Sequence, residues 1–139
     1  MTPVDTAGPV PSAVPCPCGL GPAYGRCCGA IHRGERPAAT AEALMRSRYS
    51  AYAVGDAAYL RRSWASATRP GHVALDPRTS WTGLTIVGTS GGAMLDAAGT
   101  VTFEAHHRTD GRDGVLRERS RFVRDDGRWV YLGPDPDER

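Results

Sequence analysis

The sequence predicts an α+β protein, and three observations carry that expectation. Two segments with helical periodicity come first, a run of β-alternating segments broken by Xaa-Gly turns follows, and all four cysteines are crowded ahead of both. Helices followed by hairpin-linked strands describe an antiparallel sheet with helices packed on one face, and no βαβ alternation or internal repeat competes with it.

The elements can be justified in order. Residues 1–14 are rich in Pro, Ala and Gly and carry no fitted period, so they read as a flexible tail. The cysteine segment occupies 15–33. Thr40 then stands as an N-cap with Glu42 in the first turn, and Ala41, Leu44, Met45, Tyr49 and Tyr52 share one helical face. Gly55 can end that helix in the left-handed conformation, and Asp56 can cap a second one with a stripe of Ala57, Leu60 and Trp64. Beyond Trp81 the period falls to two, with strands expected at 84–89, 100–108, 115–124 and 128–132. Gly91-Gly92, Asp110-Gly111, Asp113-Gly114 and Asp126-Gly127 read as turns. The folded domain is expected over 38–133.

Composition excludes several function classes. The net charge is +2, too small to argue for a polyanion partner, and all 17 basic residues are arginine, so no single arginine stands out as a signal. No apolar run reaches membrane-spanning length and no secretory signal pattern opens the chain. A cytoplasmic setting is expected, where thiols stay reduced and serve as metal ligands rather than disulfide partners.

The run C-P-C-G-L-G-P-A-Y-G-R-C-C-G places Cys16, Cys18, Cys27 and Cys28 as two close pairs around a glycine-rich loop. A loop of that kind can fold back and bring both pairs to one tetrahedral zinc ion. Disulfides or idle thiols are the competing account; adjacent Cys27 and Cys28 could join only through a strained ring. Four cysteines leave no coordination position for water, which favours a structural or docking role over catalysis. His32, four residues after Cys28, is the candidate substitute ligand.

The strands suggest an interior. Val101, Phe103 and Ala105 alternate inward, and His107 shares their face. On the next strand Arg117, Arg119 and Arg121 share one face, which is costly to bury, so Glu118, Ser120 and Phe122 should point inward. Glu118 needs a partner, and Arg46 or Arg48 on the first helix could supply an ion pair. The functional account makes Glu118 and His107 an acid–base pair in a pocket that Ser120 and Tyr49 help to line. Tyr49, Tyr52, Trp64, Trp81, Phe122 and Trp129 serve either as core or as the walls of such a pocket.

These residues carry a resemblance. The cysteine spacing resembles the SEC-C motif, the zinc-binding tail of the bacterial preprotein-translocase ATPase, with Leu20 and Pro22 in this chain where that loop often has Ser and Lys. A-E-A-L-M-R-S-R-Y-S-A-Y at 41–52, W-T-G-L at 81–84 and E-R-S-R-F-V-R-D-D-G-R-W at 118–129 extend it to the YchJ family. The resemblance implies a cone-shaped nuclear-transport-factor-2-like domain, with N-terminal helices on a curved antiparallel sheet, preceded by a small zinc knuckle. It brings no settled biochemical activity, though relatives of that fold use the interior of the cone to bind or transform small molecules. Because the motif in the translocase engages a chaperone and the ribosome, it implies a protein partner at the knuckle. Small-molecule binding, or an enzyme using the interior of the cone, is the second expectation, and nucleic acid the weakest.

Overall fold

The computed structural model describes residues 12–136, which form one 3-10 turn (Tyr24–Arg26), three α-helices and one four-stranded sheet. The helices are α1 (Cys28–His32), α2 (Ala41–Val54) and α3 (Ala57–Arg62), and the strands are β1 (Thr79–Gly91), β2 (Ala98–Thr109), β3 (Arg112–Asp125) and β4 (Arg128–Pro134). The sheet is an antiparallel meander in the order β1-β2-β3-β4. No helix among the described residues is long and apolar enough to cross a membrane.

The local signals act largely as the sequence implies. Thr40 accepts a hydrogen bond from the Ala43 amide at 3.0 Å and Asp56 one from Tyr59 at 2.9 Å, while Gly55 ends α2 at φ +82°. Asp110-Gly111 and Asp126-Gly127 close two-residue hairpins with both residues at positive φ. Asp113-Gly114, by contrast, is no turn: it lies within β3, opposite Arg108 and His107. Two reversals so close together are incompatible, and the β2–β3 register, with Thr109 opposite Arg112, gives the hairpin to Asp110-Gly111. The strands also run longer than expected, with β1 starting at Thr79.

Two differences concern the helices. The cysteine segment holds a five-residue helix, α1, that its glycine-rich sequence did not suggest. The second expected stripe ends early: Leu60 is buried, but Trp64 lies beyond α3, bridged to Tyr131, and Tyr59 takes its place in the interior.

Helix α2 is buried on two sides. Leu44, Met45 and Tyr49 pack on Val101, Phe103, Ala105, Phe122 and Trp129 of the sheet. Ser47, Ser50 and Ala51, each fully buried, face away from it toward the knuckle and α3. Small side chains let three layers stack closely at that seam. At the N-terminus of α2, the Ala41 amide donates to Gly92 O at 3.0 Å, and a Cβ at Gly99 would lie 2.4 Å from the Gly92 backbone. Only glycine fits there. On the arginine face of β3, Arg117 is exposed whereas Arg119 and Arg121 are half-buried.

Candidate functional site

The four cysteines converge. Their sulfurs lie within 4.8 Å of one another, all four residues are at most 5% exposed, and Cys18 and Cys27 approach to 3.6 Å without forming a disulfide. A Pro15–Ala23 bridge and a hydrogen bond from the Cys16 amide to Pro22 O fold the loop back, and Gly19 and Gly21 take positive φ on the way. Of the expected tail, residues 1–11 lie outside the described residues, whereas Ser12 and Val14 accept hydrogen bonds from Gly25 and Tyr24.

This packing leaves room for little unbalanced charge. Hydrogen bonds from Cys18 and Cys28 hold the Cys16 thiol far below the usual range. The same interactions push Cys18 up to about 11 and Cys28 higher still. The thiols thus oppose one another's ionisation, which a cation at the centre would relieve. The four cysteines are placed to bind a metal ion.

His32 does not join them. Its Nδ1 accepts from Tyr24 OH at 2.6 Å and its Nε2 donates to Ser47 O at 2.8 Å, so both ring nitrogens are engaged. The Tyr24 hydroxyl, pushed up to about 12 by burial, stays protonated as the donor. Burial also holds the His32 pKa below its ordinary value. The imidazole therefore latches the knuckle to α2. Tyr59 packs on the ring at 4.5 Å and hydrogen-bonds Ser47 Oγ, and Arg62 donates to His32 O. A consequence for pH follows. The unfolded chain binds a proton at His32 near pH 6.5 and the folded chain only at lower pH, so this contribution is complete above 6.5 and is lost as pH falls below it. Thermal midpoints of the wild type and His32→Gln should converge on acidification from pH 7 to 5.5; a constant gap would mean the histidine titrates alike in both states.

Inside the cone the structure brings some expected residues together and separates others. Tyr49, Glu118 and Ser120 line a chamber of about 180 Å³, walled mostly by aromatic and apolar side chains including Tyr52, Trp64 and Trp81. Glu118 Oε2 accepts from Ser120 Oγ at 2.6 Å and Tyr131 OH at 2.8 Å; Oε1 accepts from no described residue. Burial, and then the neighbouring Glu118 charge, push the Tyr131 pKa up, which keeps that hydroxyl a donor.

Neither arginine forms the expected ion pair with Glu118. Arg46 turns toward the knuckle, donating to Glu42 at 2.9 Å and Cys18 O at 2.8 Å. Arg48, 4% exposed, lines the chamber but donates through Nη1 to Leu60 O and Ser63 Oγ, both at 2.7 Å, and lies over the rings of Trp64 and Tyr131. Two hydroxyls hold one oxygen of the half-buried carboxylate, and the end of α3 competes for the guanidinium. His107 is not in the chamber either. It shares the inner face but sits four residues from Phe103, the partner of Glu118, or about 13 Å along the strand. There it packs edge-on to Trp81, with Nδ1 buried and unpartnered among the described residues. The acid–base pair is not formed. Tyr131 was missed, because its hydroxyl reaches Glu118 only across the bulge between Arg121 and Phe122.

Sheet, helices and cysteine cluster together define a nuclear-transport-factor-2-like domain carrying an N-terminal SEC-C-type knuckle. The family model for the YchJ middle NTF2-like domain matches residues 40–134, and the chain belongs to the YchJ family. A UPF0225 protein of Streptomyces coelicolor is 54% identical over 117 residues, covering 84% of this chain and 91% of that one. One from Deinococcus radiodurans is 49% identical over 123 residues, covering 88% and 89%. The solution structure of a SEC-C motif containing protein from Rhodopseudomonas palustris matches with a TM-score of 0.76 at 32% identity, over 90% of this chain and all of that one. The crystal structure of a SEC-C motif containing protein from Psychrobacter arcticus matches at 0.70 and 25% identity, over 92% and 84%.

Proposed function

We propose that the chain is a cytoplasmic zinc protein that binds a small molecule inside the cone, with the knuckle as a closed structural centre bracing α2. Zinc suits the donor set: a tetrahedron of sulfurs about 2.3 Å from zinc has edges of about 3.8 Å. The Cys18–Cys27 separation of 3.6 Å supports that fit. Cys16, Cys18, Cys27 and Cys28 would supply all four ligands, leaving the ion no open position for substrate. Reduced thiols in such a centre suit the cytoplasm.

The observation that carries the ligand reading is the presence of two opposite charges, not bonded to one another, in the lining of one apolar chamber. Glu118, oriented by Ser120 and Tyr131, offers a free acceptor oxygen, and the Arg48 guanidinium stands in the same wall without touching it. A flat, uncharged molecule that turns a donor to Glu118 and an acceptor to Arg48 would satisfy both. Benzamide is the simplest probe. Titrated into the full chain, it and related aromatic amides should shift the indole N–H signals of Trp64 and Trp81, and Glu118→Gln should weaken binding about tenfold. Silence of both indoles across a library of such fragments would remove the reading.

A protein partner at the knuckle is the second reading, favoured by Leu20, which is 57% exposed at the tip of the loop between the cysteine pairs. Leu20→Glu would then abolish partner binding with metal content unchanged.

A further inference from the structure

A second concavity, of about 270 Å³, opens where the segment after α1 meets α2, α3 and β4. Its lining includes three arginines, Arg36, Arg62 and Arg128, and no carboxylate. Its floor is apolar, built from Leu44, Trp129 and Val130 among others. The charge gathered here exceeds the net charge of the whole chain, +2, so it is a local concentration and not a reflection of composition.

None of the three arginines has a carboxylate partner among the described residues. Glu35, next to Arg36, is taken by Arg33 at 2.6 Å. Asp125, opposite Arg128 across the hairpin, accepts from the Ser66 amide and hydroxyl. Two of the guanidiniums are nevertheless held in place. Arg36 donates to Arg26 O at 3.1 Å and Cys27 O at 3.3 Å, and Arg62 donates to His32 O while lying over the Tyr59 ring. Backbone carbonyls thus order these side chains without neutralising them. Part of the entropy of fixing them is lost on folding and need not be lost again on binding an anion.

We propose that this groove binds a small organic oxyanion, a carboxylate or phosphate monoester carried on an apolar body, with the guanidiniums taking the charge and Leu44, Trp129 and Val130 the body. The site is separate from the cone chamber and does not depend on a ligand there.

The three tryptophans separate the two sites, since Trp129 lines the groove while Trp64 and Trp81 line the chamber. Phenyl phosphate, benzoate, inorganic phosphate and benzyl alcohol would be titrated into the full chain, with the indole N–H signals followed by NMR. Phenyl phosphate or benzoate should move the Trp129 signal and leave Trp64 and Trp81 in place, with affinity falling as salt rises. Whichever of the two binds more tightly identifies the oxyanion. Inorganic phosphate, lacking the apolar body, should bind at least about tenfold more weakly, and benzyl alcohol should not bind. Arg128→Gln is the decisive variant, because that side chain makes no hydrogen bond or ion pair with a described residue and acts on Asp125 only through its charge: affinity should fall about tenfold with the thermal midpoint little changed, and Arg128→Lys should recover part of it. Shifts at Trp64 or Trp81 instead, an unchanged affinity in Arg128→Gln, or an equal response to benzyl alcohol would each overturn the proposal.

Discussion

Replacing Cys28 with serine is expected to strip the metal from the protein and lower its thermal midpoint by about 10 °C. The serine hydroxyl does not ionise at neutral pH and cannot replace a thiolate, so three sulfurs would remain around a cation in a buried site. The loss then spreads beyond the knuckle. Cys16 meets Ser50 at 3.5 Å, Arg46 donates to Cys18 O and His32 to Ser47 O, so a loosened knuckle uncovers the polar seam of α2. Such a loss is worth about 3 kcal/mol or more, which at this chain length corresponds to a drop of about that size. Metal content by native mass spectrometry and melting by circular dichroism test it together. Leu20→Ser, on the exposed loop, should change neither. Retention of one metal ion by Cys28→Ser would show that three cysteines suffice, and a melting curve unchanged after metal loss would show that the knuckle does not brace the cone.

Arg48→Ala is the second change with a large expected cost, about 3 to 5 kcal/mol. It removes the donor to Leu60 O at the end of α3, the bond to Ser63 and the guanidinium stacked on Trp64 and Tyr131. It also leaves the Glu118 carboxylate in the chamber without the opposite charge that faces it. The two contributions separate in a double-mutant cycle. If the charge balance matters, Arg48→Met combined with Glu118→Gln should be less destabilised than the sum of the single changes by about 1 kcal/mol or more. Strict additivity in urea melts would assign the whole cost of Arg48 to the end of α3 and the aromatic stack.

Caps, hairpin turns and the face of each strand depend on neighbours within a few residues. Thr40, Asp56, Asp110-Gly111 and the alternation Val101, Phe103, Ala105 therefore declared themselves in the sequence. The cysteine cluster was legible for a related reason: soft ligands so close together have few arrangements, and one metal ion satisfies them all. Asp113-Gly114 carried the same turn chemistry as its neighbour, and only the pairing of His107 with Gly114 and Arg108 with Asp113 decided between them.

Partner choice among long polar side chains was decided by the tertiary structure. The sequence placed Glu118 and Ser120 on the inner face, Arg46 and Arg48 on the first helix, and His32 beside the cysteines. It did not determine that Arg46 would reach Cys18, that Arg48 would turn to the end of α3, that Tyr131 would bind Glu118, or that His32 would latch to Ser47. A guanidinium can swing to any acceptor within several ångströms, so its partner depends on where separate elements stop and how closely they pack. Local patterning and ligand chemistry determine the fold class and the cysteine centre; the packing of α2 between the sheet and the knuckle determines which charges face each other and what space is left between them.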